Sequence, residues 1–129
     1  KNCDVDQQGV SIGVSERSAY DLWLSDNFKS AKIVRAPSIQ ASHALFWDNK
    51  VDVLASLKPK LIEEIDNREG VRLIEKPFTA VKQSIGLPKG SQNSVAYINQ
   101  VIRSSIQEGW LLDRLNYHGM ASRLGIPLY

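Results

Sequence analysis

Short apolar runs of strand length recur between stretches with helical spacing, and this alternation constrains the fold more than any other feature of the chain. The runs are VSIGV at residues 10–14, KIVRA at 32–36, VDVLA at 51–55 and VRLI at 71–74. After the first run, Ser18-Ala19-Tyr20-Asp21 has the S-x-x-D form of a capping box, in which the serine oxygen accepts a free N–H of the first helical turn. A helix is expected to start there, with Tyr20, Trp23, Leu24 and Phe28 on its buried side. A second helix is expected over about residues 39–47, ended by Asp48-Asn49-Lys50. A third opens at Lys58-Pro59 and runs to about residue 66, because the missing N–H of proline costs nothing in a first helical turn. Strands alternating with helices predict an α/β fold: three layers, doubly wound, around a mainly parallel sheet. Strand cores this short and apolar fit a sheet covered on both faces.

Beyond Pro77 the pattern changes. QSIGL at 83–87 reads as a further strand and PKGSQNS as a loop. A helix follows over about residues 94–108, with Val95, Ile98, Ile102 and Ile106 forming one apolar stripe at helical spacing. Gly109 interrupts it, a short helix spans about 110–117, and Gly119 reads as its stop. The polar opening, residues 1–8, reads as a linker.

With 129 residues and 43% apolar content, the chain can bury a real core. A net charge of +2, from Lys and Arg interspersed with acids, gives no basic stripe, so no nucleic-acid partner is expected. No apolar run reaches the roughly 20 residues that span a bilayer. The chain opens on Lys1 rather than methionine and reads as a portion processed or cut from something longer. Cys3 is the only cysteine, which rules out an intrachain disulfide. His43 and His118 lie far apart without a cysteine or carboxylate cluster, so neither a metal nor another cofactor is expected. No G-x-S-x-G, H-E-x-x-H, P-loop or G-x-G-x-x-G is present, and nothing positive marks the chain as an enzyme. Glu63 and Glu64, adjacent on a helix, point in different directions. His43 reads as a packed or surface histidine, and Asp52 as an acid that satisfies a neighbouring loop.

Ligands of doubly wound sheets bind beyond the carboxyl ends of the strands. Residues 15–19 form the first such loop and lead into a helix N-terminus, whose free N–H groups suit an anion. Arg17 adds a bidentate cation there. The plainer alternative is that Ser18 only caps the helix while Arg17 is solvated. Ser56, Leu57 and Lys58 form the second loop, where Lys58 either meets a ligand or simply flanks a helix start.

Taken in order, GVSIGVSERSAYDLWL, AKIVRA, VDVLASLKPKL, PFTAVKQSIGLPKG and the helix ending in QEGW resemble the second half of type 2 periplasmic binding proteins. These are the solute-binding components of ABC importers for polar amino acids and related compounds. The resemblance runs from about Gly9 to His118. It is closest to a branch marked by the segments Ser18-Ala19-Tyr20-Asp21-Leu22, A-x-L-K-P-x-L from Ala55 to Leu61, and F-x-x-V-x-Q from Phe78 to Gln83. The resemblance implies that residues 9–81 form an inserted second lobe and residues 82–129 a segment returning to the first lobe. It implies a small-molecule solute held in an interlobe cleft, ABC permease subunits as partners, and a periplasmic or extracellular, membrane-associated location. Arg17, Ser18, Ala19, Ser56, Lys58 and Gln83 are the ligand-binding residues this placement implies. The family's amino-acid binders present Gly, then Thr or Ser, then Thr where this chain has Arg17-Ser18-Ala19. They carry an aspartate for the ligand ammonium at about Leu57. An anionic or less polar solute is therefore expected in place of an ordinary amino acid. The same fold also serves extracellular sensor domains of signalling receptors, and some dehydratases. With the first lobe missing, the apolar stripe of the long helix is expected to fold back or to pair with a second copy as a homodimer.

Overall fold

The computed structural model describes residues 5–66 and 68–126. Cys3 lies outside them. The chain divides into two units, one ending at Lys82 and the other beginning at Gln83.

The first unit is α/β. Its elements are β1 (Ser11–Ser15), α1 (Ala19–Asn27), β2 (Lys32–Ala36), α2 (Ile39–Trp47), β3 (Val53–Leu54) and α3 (Lys58–Ile65). The three strands form one parallel sheet in the order β2-β1-β3. Ile12 pairs with Ile33 on one side and with Val53 on the other. Because side chains alternate along a strand, β1 serves two different faces. Ile12 and Val14 point to one face and form a core cluster with Tyr20 and Leu24 of α1 and with Ala55. Trp23 and Phe28 pack partly buried against the same cluster. Gly13 points to the other face, where α2 comes so close that a Cβ would sit 3.0 Å from Val51 Cγ2 and 3.5 Å from the Ser42 carbonyl oxygen.

This contact gives a first prediction. Gly13→Val has a better strand propensity, yet its methyls must enter space held by Val51 and the α2 backbone. It is expected to destabilise the unit by about 1–3 kcal/mol in urea unfolding, the usual cost of overpacking.

Local signals set the helix ends. Ser18 caps α1, its Oγ accepting from Asp21 N–H at 3.1 Å and donating to the Ser15 carbonyl at 2.7 Å. The reciprocal half of the box is displaced by one residue, because Asp21 Oδ2 accepts from the Arg17 N–H. Asp21 is buried and also accepts from Arg35 Nε at 2.9 Å, which ties α1 to β2. Ser38 caps α2 in the same way, accepting from Ala41 N–H. At its other end, Asn49 takes φ +55°, and the bonds Asn49 N–H to Phe46 O and Lys50 N–H to Leu45 O close a Schellman turn.

Two expected strands are not formed. Residues 71–74 form no strand and are half to fully exposed, with Ile74 at 39%. Among the described residues the sheet ends at β3, whose outer edge these residues do not join. Residues 83–87 are likewise irregular, and Ile85 is 60% exposed. The third strand is shorter than its apolar run. Val51 is buried, but the Asp52 side chain occupies the Ser11 N–H at 2.8 Å, so it satisfies the start of β1 and not the neighbouring loop that was expected. Within the segment expected to be a linker, Asp6 accepts backbone N–H bonds from Lys29, Ser30 and Ala31, and Val5 packs on the core cluster.

The second unit is helical, with α4 (Gln92–Gln107) and α5 (Trp110–Tyr117). Neither helix buries a residue fully. Along the expected stripe, Ile98, Ile102 and Ile106 are half-buried and Val95 is 44% exposed. Gly119, at φ +65°, ends α5 through a second Schellman turn, with Met120 N–H bonded to the Leu115 carbonyl. No helix among the described residues is long and apolar enough to cross a membrane.

Candidate functional site

The sheet order places β1 between two strands reached by crossovers in opposite directions. The crevice at such a reversal, outside the carboxyl ends of the strands, is where open α/β sheets place ligands. By topology that place here lies between the turn after β1 and the loop after β3. The register Gly13–Leu54, with Ala55 N–H bonded to the Gly13 carbonyl, brings Ser15 and Ser56 to neighbouring strand ends. Adjacent strands run about 4.8 Å apart.

Of the expected site residues, Arg17, Ser18 and Ala19 stand on the β1 side of this crevice, and Ser56 and Lys58 on the β3 side. Gln83 belongs to the other unit. Arg17 has φ +58°, in the left-handed region that disfavours a residue with a Cβ. Its backbone N–H is fixed by Asp21 Oδ2 at 2.8 Å, while its side chain is exposed and joins no ion pair among the described residues. Ser18 already uses its hydroxyl to cap α1. Lys58 is exposed at the first turn of α3, a helix whose N-cap, Leu57, supplies no side-chain bond.

Ser56 is the best-organised side chain at the crevice. His43 Nε2 lies 2.9 Å from its Oγ. On the other side of the ring, His43 Nδ1 lies 2.7 Å from Glu64 Oε1. Trp47 Nε1–H donates to Glu64 Oε2 at 2.6 Å. A row of hydroxyl, imidazole and carboxylate thus links the end of β3 to α2 and α3. It is the order of groups that also activates nucleophilic serines. His43 is 4% exposed and Glu64 half-buried. Burial pushes the Glu64 carboxyl upward, but the hydrogen bonds from Trp47 and His43, with the nearby Lys60 charge, outweigh it, and its pKa lies below the ordinary glutamate value. The Arg68 guanidinium lies 4.1 Å over the Trp47 ring and bounds an open groove of about 600 Å³ that includes His43, Lys60 and Glu64.

The sequence reading placed Ser56 at the crevice and missed the groups behind it. His43 and Trp47 are four residues apart, on one face of α2, and that spacing was the available signal. Glu64 pairs across 21 residues of sequence, which no local pattern reveals.

Compared with protein-family models, curated proteins and solved structures, the chain matches none.

Proposed function

We propose that the chain is part of the solute-binding component of an ABC-type importer, its first unit being a doubly wound lobe of the type 2 periplasmic-binding-protein kind. It takes a small polar or anionic solute against the ends of β1 and β3. A further lobe closes over the solute by hinge motion and presents it to a membrane permease outside the cytoplasm. The residues from Gln83 onward return to that further lobe, and the apolar stripe of α4 packs there or against a second copy.

The observation that carries this reading is Arg17. A left-handed backbone costs a non-glycine residue about 1–2 kcal/mol, and such strain marks positions held for a purpose. Here the exposed Arg17 side chain, in no ion pair among the described residues, stands just before the N-terminus of α1, where backbone N–H groups and the helix dipole also favour an anion.

The test is titration of the full-length protein with small carboxylates by calorimetry. Arg17→Ala is expected to weaken binding by about tenfold or more, the scale of one charge-assisted hydrogen bond. Arg17→Gly is expected to weaken it equally while leaving the fold as stable or more so. Unchanged carboxylate affinity in both variants would defeat this reading.

A further inference from the structure

The hydrogen-bond polarity of the Ser56–His43–Glu64 row follows from its last member. Both Glu64 oxygens are engaged by nitrogen atoms, and an ionised carboxylate only accepts. His43 Nδ1 must therefore carry a proton, directed at Oε1. In a neutral imidazole the other nitrogen then has a bare lone pair. Ser56 Oγ lies 2.9 Å from that nitrogen, and with the ring neutral its single hydroxyl proton is the one that closes the bond. What Ser56 has left to offer the crevice is the lone pairs of Oγ.

We infer that His43, held by Glu64, fixes Ser56 as a hydrogen-bond acceptor at the solute site, so that the solute carries a neutral donor beside its anionic group, as in a 2-hydroxycarboxylate. The inference rests on the solute-binding reading above and narrows it to a ligand class. The carboxylate lies toward Arg17, and the hydroxyl donates to Ser56 across neighbouring strand ends. An ammonium at the same place is disfavoured, since Arg17 and Lys58, both cationic, flank the crevice. A ligand lacking the donor leaves the Ser56 oxygen desolvated and unpaired. Sites built to bond a substrate hydroxyl reject its deoxy analogue for that reason.

The experiment uses the full-length protein in two arms. In the first, nitrogen-15 spectra of the His43 ring at pH 8 report the tautomer. A proton on Nδ1 is expected, and a proton on Nε2 overturns the inference. In the second, calorimetry compares lactate with propanoate, which differ only by the hydroxyl. Lactate is expected to bind about tenfold more tightly, the worth of one well-placed hydrogen bond. Ser56→Ala is expected to bring that ratio to about one, while Ser56→Thr, which keeps the hydroxyl, retains most of it. Equal affinity for the two acids in the unaltered protein overturns this inference and leaves the anion-binding reading standing. Failure of both acids to bind overturns both. Covalent labelling of Ser56 by a fluorophosphonate would keep this hydrogen-bond polarity but overturn the assigned role, because Oγ would then act as a nucleophile and not as an acceptor for the solute.

Discussion

Leu24→Ala is expected to cost the first unit most of its stability, about 3–5 kcal/mol. Leu24 is 1% exposed and lies in the cluster formed with Ile12, Val14, Tyr20 and Ala55. Truncation removes its transfer free energy and leaves a cavity that the flanking strand cannot close, since β1 is held on both edges by β2 and β3. Whole domains have only about 5–15 kcal/mol to lose, and small ones lie at the lower end. The urea midpoint is expected to fall by about 2 M, or the variant to be unfolded in buffer, given a slope of about 1–2 kcal/mol per molar for a unit of this size. Leu22 gives the control. It lies on the same helix but is 60% exposed, and Leu22→Ala is expected to change stability by no more than about 0.5 kcal/mol. Equal midpoints for the two variants would mean that α1 does not pack by the face described.

The same helix shows how far sequence alone reaches. The apolar run before Ser18 and the S-x-x-D step after it are local signals, and β1, the Ser18 cap and the buried positions Tyr20 and Leu24 follow from them. Ser38 and Asn49 bound α2 by equally local chemistry. Residues 71–74 and 83–87 have the apolar character of strands, but a strand forms only where a segment lies along a sheet edge, and no local pattern says whether it does. Glu63 and Glu64 are instructive together. Their divergence was legible from adjacency, and the structure has Glu63 exposed beside Lys60. That Glu64 turns inward to meet His43 and Trp47 depends on where the fold sets α3 relative to α2, which periodicity does not encode. The loops after β1 and β3 were legible because apolar runs and helix-start signals bound them, whereas the strand order that makes them neighbours was not. The polarity of Ser56 was not, because it is transmitted through two residues distant in sequence.

Glu64→Ala is expected to be the second most damaging substitution, at about 2–3 kcal/mol. It strands two donors, His43 Nδ1–H and Trp47 Nε1–H, and each unpaired buried donor costs about 1–3 kcal/mol. The upper part of that range is not reached, because the Glu64 side chain is 21% exposed and water replaces part of what is lost. Glu64→Gln should fall between, since its amide carries one oxygen and cannot accept from both donors as the carboxylate does. Both variants also differ from the unaltered protein in their dependence on pH. The folded-state pKa of Glu64 is depressed, so the folded protein holds its proton less readily than the unfolded chain. The resulting stabilisation is complete above the unfolded glutamate value of about 4.3. It is lost as pH falls through the lower, folded value. Asp6 and Asp52, lowered chiefly by bonds from the Ala31 backbone and the Ser11 hydroxyl respectively, add acid lability of the same sign. Urea midpoints measured from pH 6 down to pH 3 should therefore fall more steeply for the unaltered protein than for Glu64→Gln, which retains only the aspartate contribution. A cycle with His43→Ala completes the test. If the row acts as one unit, the losses from His43→Ala and Glu64→Ala will be strongly non-additive. Additive losses would show that each residue packs independently, and would remove the basis for assigning Ser56 its polarity.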